Sequence, residues 1–208
     1  MKFFLVRHGE TEWNKSGRFQ GQNDVGLNQR GLAQARETAL ASVAWNPTAL
    51  YSSPLPRTMQ TAGEFAKQLH LPVTPEPALK ELDLGQLDGV TGPEMRANWP
   101  EVAETWGRNP ESVVMPGGES LVQLQDRVWR TVTRLRESHQ EEEVLVLISH
   151  NFAIRSIFNK LLGMPWSHFH TLYLSLSSVC IMETNPRWGW RLLSYNATGH
   201  LSPENLSH

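Results

Sequence analysis

Two arginines and two histidines stand in this chain where a phosphate could be held. Arg7-His8-Gly9-Glu10 follows the apolar run Phe3-Phe4-Leu5-Val6. Arg57 comes shortly after Ala49-Leu50-Tyr51 and the polar pair Ser52-Ser53, and Ser149-His150 closes Val144-Leu145-Val146-Leu147-Ile148. Guanidinium forks grip phosphate oxygens two at a time, and imidazole can attack phosphorus or carry a proton. Ligands of open α/β sheets collect beyond the carboxyl ends of the strands, so three polar clusters at strand ends predict one shared anion site.

The elements that must position these residues are legible from periodicity. The continuous apolar runs at 3–6 and 144–148 predict strands buried on both faces, with further strands at 49–51, 178–183 and 190–195. Asn28 caps a helix from Gln29 to about Val43. Ser52-Ser53-Pro54 opens another to about Leu69, with Arg57, Thr58 and Thr61 in its first turns. Leu121, Leu124, Val128, Val132 and Leu135 form one stripe of a helix over 119–138, and Phe152 begins a last helix to Leu162. Strands alternating with helices predict a three-layer α/β/α fold, with a mostly parallel central sheet and helices on both faces. The length of 208 residues suits a single domain spanning 1–208. The stretch 88–118 is rich in Gly, Pro and Trp and only weakly periodic, and is expected to be a small lid insertion over one edge of the sheet. The polar tail 196–208 is expected to be loosely held.

Composition narrows the function. With 39% hydrophobic residues, 19% charged residues and a net charge of −2, the chain carries no basic excess for nucleic acid or anionic membranes. No apolar run is long enough to span a bilayer, and the apolar N-terminus is too short for a secretion signal. A cytoplasmic location is expected, as monomer or homodimer. The single cysteine, Cys180, excludes an internal disulfide and reads as a small buried thiol. His168 and His170 alternate around Phe169, as on one strand face, but lack a third nearby metal ligand.

The sequence resembles the histidine phosphatase superfamily over nearly its whole length. This group joins metal-independent phosphatases to cofactor-dependent phosphoglycerate mutases. The likeness is carried by Arg7-His8-Gly9-Glu10-Thr11-Glu12-Trp13-Asn14, by Gly21 to Leu27 with Gly31 and Gln34-Ala35, and by Ser52-Ser53-Pro54-Leu55-Pro56-Arg57-Thr58. Glu81-Leu82-Asp83-Leu84-Gly85 through Gly89 resembles the acidic motif, and Ser149-His150 the final histidine. The resemblance implies that His8 attacks phosphorus to give a phosphohistidine, and that Arg7, Arg57 and His150 hold the nonbridging oxygens. It further implies that Asn14 contacts the phosphoryl group and that Gln20 and Gly21 line the substrate approach. Glu81 would protonate the leaving oxygen and then activate water, a role preferred over Asp83 and Asp88 on the spacing to Gly85 and Gly89. No metal or cofactor is implied. Asn151 stands where the family usually has glycine after the final histidine. Asn tolerates positive φ better than most residues, so pocket shape is in question there more than chemistry.

The expected function is hydrolysis of a small phosphorylated metabolite, with phosphoglycerate mutase as the alternative. A mutase wants positive charge for a doubly anionic substrate. The insertion offers only the separated Arg96 and Arg108 among Glu94, Glu101, Glu104 and Glu111, together with Trp99, Trp106 and Met115. A phospho-ligand or protein-binding module on the same fold is the remaining alternative, and would be expected to lack one of the reacting residues.

Overall fold

The computed structural model describes residues 1–206. Its strands are β1 (Lys2–Arg7), β2 (Ala49–Ser52), β3 (Val73–Pro75), β4 (Val144–Ser149), β5 (Val179–Asn185) and β6 (Gly189–Ala197). Its helices are α1 (Glu12–Lys15), α2 (Gln29–Ser42), α3 (Pro56–Leu69), α4 (Gly92–Asn98), α5 (Pro100–Arg108), α6 (Leu121–Ser138) and α7 (Asn151–Leu161). The strands form one sheet in the order β3-β2-β4-β1-β5-β6. The first four in that order run parallel, while β5 is antiparallel to both β1 and β6. The sheet is therefore mixed, with its parallel part carrying the predicted anion site.

Side-chain alternation along the strands builds two cores. Phe4 and Val6 of β1, with Leu50, Val146 and Ile148, pack against Ala39 of α2 and Ala62 and Phe65 of α3. Phe3 and Leu5, with Leu145 and Leu147, face the stripe of α6 and Ile154, Ile157 and Phe158 of α7. Leu121, Leu124, Val128, Val132 and Leu135 are all buried on that face. Each such side chain contributes about 2 kcal/mol to holding the layer in place. The register of β1 against β4 pairs Arg7 with Ser149, so His8 and His150 leave the sheet side by side.

Several expectations are corrected. Helix α3 begins at Pro56 rather than at Pro54: Pro56 takes the first helical position and Leu55 the cap without a side-chain bond, which frees Ser53 for another partner. The segment 88–118, expected to be only weakly structured, contains regular helices. It folds into α4 and α5, and Met95, Val113 and Met115 join the core on the α6/α7 face. The tail is anchored up to the end of the described residues: Leu201 and Asn205 are buried, and Asn205 binds Gln34 and Glu37 of α2. Residues 207 and 208 lie outside the described residues. His168 and His170 lie in a 3-10 turn (Trp166–Thr171) rather than on a strand, and the His170 ring nitrogen sits 3.0 Å from the Trp106 carbonyl. Cys180 is buried, and burial pushes its thiol up to about 12.

Candidate active site

His8 is held by the end of β1 and by two glycines. Its backbone N–H donates to the Ser149 carbonyl at 3.1 Å, which extends the β1–β4 ladder by one residue. A Cβ on Gly9 would lie 2.3 Å from the Gly31 carbonyl oxygen, and one on Gly31 would lie 2.1 Å from that of Glu10. The chain after His8 thus touches the start of α2 backbone to backbone. Ordinary helix propensity favours alanine over glycine by about 1 kcal/mol. Here the contact reverses the sign: Gly31→Ala is expected to destabilise by roughly 3 kcal/mol, the upper range for overpacking. Urea denaturation of the two proteins checks this, and equal midpoints would refute it.

The His8 Nδ1 lies 2.7 Å from the Gly9 carbonyl, an acceptor only, so Nδ1 carries the proton. Nε2 is then the ring nitrogen with a lone pair. His8 is 3% exposed. Burial first, and then the charges of Arg57 and Arg7, hold its pKa well below the ordinary histidine value. The ring is neutral at physiological pH.

Arg57, on the first turn of α3, is fully buried. Its Nε donates to His150 Nδ1 at 3.2 Å, Nη1 to the Asn23 carbonyl at 3.0 Å and Nη2 to the Gly21 carbonyl at 2.6 Å. Accepting at Nδ1 leaves the proton of His150 on Nε2, 2.8 Å from the Ser53 hydroxyl. Burial, with the charge of Arg57 next, holds the His150 pKa well below the ordinary value too. The two histidine rings meet edge to face with centroids 5.2 Å apart. Arg7 donates from Nη1 to the Leu174 carbonyl at 2.5 Å, while its buried Nε has no partner among the described residues. Burial lowers both arginines to about 10, so they remain cationic at neutral pH.

Glu81, 3% exposed, lies in the irregular chain ahead of Gly85 and faces the first turn of α7. Its carboxyl accepts from the N–H groups of Leu82 (2.8 Å), Phe152 (3.0 Å) and Ala153 (3.2 Å). Burial raises its pKa, outweighing these donors and the charges of Arg57 and Arg7, which act the other way. The neighbouring acids are engaged elsewhere. Asp83 accepts from the Gly85 N–H, and both oxygens of Asp88 accept from the N–H groups of Gly21 and Gln22. Asp88 therefore shapes the Gly21 loop rather than facing the histidines. Glu10 pairs with Arg30 at 3.3 Å.

The remaining predicted residues fall around this centre. The Asn14 amide oxygen closes the capping box of α1 with Thr11, leaving its amide nitrogen to point elsewhere. Gln20 turns its oxygen to the Thr11 hydroxyl at 2.9 Å, and its buried Nε2 has no partner among the described residues. Asn151 is the first residue of α7 and is not among the positive-φ residues, so the helix start makes no demand for glycine there. Two fully buried hydroxyls join the site: Ser53, from the polar pair that closes β2, and Thr11, to which motif reading gives no role of its own. A lone threonine is too common in sequence to stand out without the contact. Beside Gln20 and Glu81's partner Phe152 lies an apolar cavity also lined by Phe19, Leu84, Met95, Trp106 and Met115. Trp99, like Trp106, packs partly buried against the core, but it is not among the residues lining this cavity.

Two neutral imidazoles, two cationic guanidiniums and one buried carboxyl thus share one end of the sheet. The family model described as histidine phosphatase superfamily (branch 1) matches residues 3–198. The chain belongs to the histidine phosphatase superfamily. As a superfamily member it is a histidine-type phosphatase in fold and family, and its relatives span several named activities. Phosphoserine phosphatase 1 of Hydrogenobacter thermophilus is 35% identical, over 97% of this chain and 94% of that protein. A probable phosphoglycerate mutase of Salmonella paratyphi C is 31% identical, over 99% of this chain and 97% of its own length. A mycobacterial glucosyl-3-phosphoglycerate phosphatase solved in complex with VO3 superposes with a TM-score of 0.86 at 29% identity, covering 95% of this chain and 99% of that one.

Proposed function

We propose that this histidine phosphatase hydrolyses phosphomonoesters in two steps through a phosphohistidine on His8. The observation that carries the reading is the His8 ring itself. It is buried, neutral and fixed with Nδ1 on the Gly9 carbonyl, so that Nε2 is the nucleophile, under the charges of the fully buried Arg57 and the half-buried Arg7. Nε2 forms its bond to phosphorus as the ester oxygen departs with the proton of Glu81. Water, deprotonated by Glu81, then attacks phosphorus and releases His8 and inorganic phosphate. Arg7 and Arg57 balance the charge on the nonbridging oxygens. The unpartnered donors Arg7 Nε and Gln20 Nε2 are suited to those oxygens. So is Asn14 Nδ2, which the capping box of α1 leaves unused. His150 would join once its Nε2–H turns from Ser53.

Hydrolysis is favoured over transfer by the surroundings of the leaving group. Arg96 and Arg108 are both exposed, Arg108 is paired with Glu104, and the cavity wall is apolar. A substrate with a partly apolar leaving group fits this wall better than a small dianion with a carboxylate. The test is a panel containing phosphoserine, 3-phosphoglycerate, glucosyl-3-phosphoglycerate, ribazole phosphate and naphthyl phosphate, assayed for phosphate release in EDTA. Release that survives chelation, and is greatest with the larger, less charged leaving groups, is the expected result. Interconversion of phosphoglycerates exceeding their hydrolysis would refute hydrolysis as the main activity, and no turnover of any ester would favour a binding module.

A further inference from the structure

Residues 80–84 carry Glu81 without belonging to any helix or strand, so their backbone groups need partners from side chains. Those partners come largely from one residue. Arg127 of α6 donates from Nη1 to the carbonyls of Ala78 (2.7 Å) and Lys80 (2.9 Å), and from Nη2 to the carbonyl of Glu81 (3.1 Å). Its Nε and Nη2 also reach the two carboxylate oxygens of Glu119, at 3.3 and 2.6 Å. Glu119 in turn accepts from the Asp83 N–H at 2.9 Å and donates its own N–H to the Asp83 carbonyl at 3.0 Å. The intervening Leu79 carbonyl accepts from Ser149, and Gln22 adds a second donor to the Glu81 carbonyl. Every carbonyl from Ala78 to Glu81 is thereby held by a side chain.

From this geometry we infer that Arg127, bridged to Glu119, is a positioning residue that aims the Glu81 carboxyl at the leaving oxygen. Arg127 reaches the reaction only through the backbone of the acid. The inference rests on Glu81 being the acid of the proposed reaction. A guanidinium is required because one side chain must serve three carbonyls and a carboxylate at once; a lysine ammonium supplies a single point of donation. Loosening the strap would let water reach Glu81, whose raised pKa derives chiefly from burial. The charged groups that act on that carboxyl are Arg57 and Arg7 and, from α7, Arg155, none of which the substitution removes.

The experiment measures single-turnover phosphorylation of Arg127→Met, Arg127→Lys and Glu119→Gln on an alkyl phosphate and on p-nitrophenyl phosphate, across pH. The nitrophenolate leaves with little help from an acid, whereas the alkoxide needs the proton. The expected result is an alkyl-ester loss exceeding the nitrophenyl loss by about tenfold or more in Arg127→Met, a part of the general-acid contribution. The alkaline limb of the alkyl profile should move to lower pH. Arg127→Lys should recover part of the difference, and Glu119→Gln should show the same selective loss more weakly. Equal loss on both esters with an unmoved limb would overturn the inference and leave Arg127 a structural strut. Should Arg127→Met fail to fold by circular dichroism, Glu119→Gln decides by the same criterion. Glu81→Gln run in parallel separates the two readings: if it too shows no preference between esters, the acid assignment has failed rather than the clamp.

Discussion

His8→Ala is expected to lower phosphate release at least about a thousandfold while leaving the fold intact, since loss of a nucleophile removes the covalent route entirely. The polar contact of the His8 ring is to the adjacent Gly9 carbonyl and its aromatic contact is to the His150 ring. Truncation therefore costs little stability. A second measurement ties the loss to chemistry. Wild-type protein quenched during turnover of a labelled ester should hold phosphate that survives alkali and is released by acid, as expected of a phosphoramidate on imidazole. His8→Ala should hold none. Retention of most activity in His8→Ala, or label that behaves as a serine ester, would sink the mechanism. The pH dependence has a defined sign. The His8 pKa is depressed, so the nucleophile is lost only when pH falls through that low value. The Glu81 pKa is raised, so the acid is lost as pH climbs through it. Activity should peak between the two.

Glu81→Gln is the second large effect, and it should differ in kind. The carboxamide introduced there would keep an oxygen for one of the N–H donors of Leu82, Phe152 and Ala153, so the first turn of α7 stays in place. What disappears is the proton for the leaving group and the base for water. Turnover of an alkyl phosphate should fall by about a hundred- to ten-thousandfold, the usual span for general acid–base catalysis. Phosphorylation by p-nitrophenyl phosphate should suffer much less, because that leaving group departs unaided. Its hydrolysis then stalls at the second step. A burst of one nitrophenolate per enzyme followed by a slow phase, with labelled phosphohistidine accumulating, is the pattern to look for in a stopped-flow record. Steady release without a burst would show that another group activates the water, and attention would pass to His150.

The parts of this fold that are legible in the sequence are those that one physical rule decides. The runs Phe3–Val6 and Val144–Ile148 read as strands because burial on both faces leaves no polar alternation to confuse them, and both lie in the middle of the sheet. The edge strand β3 gives no such signal: it has three residues, two of them exposed, and one is Pro75. In the segment 88–118 the local signals exist. Thr91 and Glu94 form a capping box with Pro93 in the first turn of α4, and Pro100 opens α5. The weak apolar stripe obscures them, because these helices bury only a few large side chains such as Met95 and Trp106 against the core.

The site divides along similar lines. His8, Arg57 and His150 are legible because each follows a strand at the same end of the sheet. Spacing alone favours Glu81 over Asp88, and only coordinates show Asp88 committed to the amides of Gly21 and Gln22. Arg127 is beyond reach: on a helical pattern it is one more polar position, and its partners lie 46 to 49 residues upstream in chain that has little regular structure. Asn151 raises a question of positive φ that the helical start of α7 answers in the negative.

The placement of β1 has a consequence for how this protein comes into being. The strand that delivers His8 is made before both strands it pairs with, β4 and β5, which set Lys2 against Val144 and Glu183. During synthesis the Phe-Phe-Leu-Val segment must wait, apolar and unpaired, until most of the chain has left the ribosome. Closure over such separations is slow, and a waiting strand of this composition is a target for holdase chaperones and a seed for aggregation. Arg57 and Glu81 lie between β1 and β4 in the chain, so on the proposed mechanism the site closes only once β4 has been made.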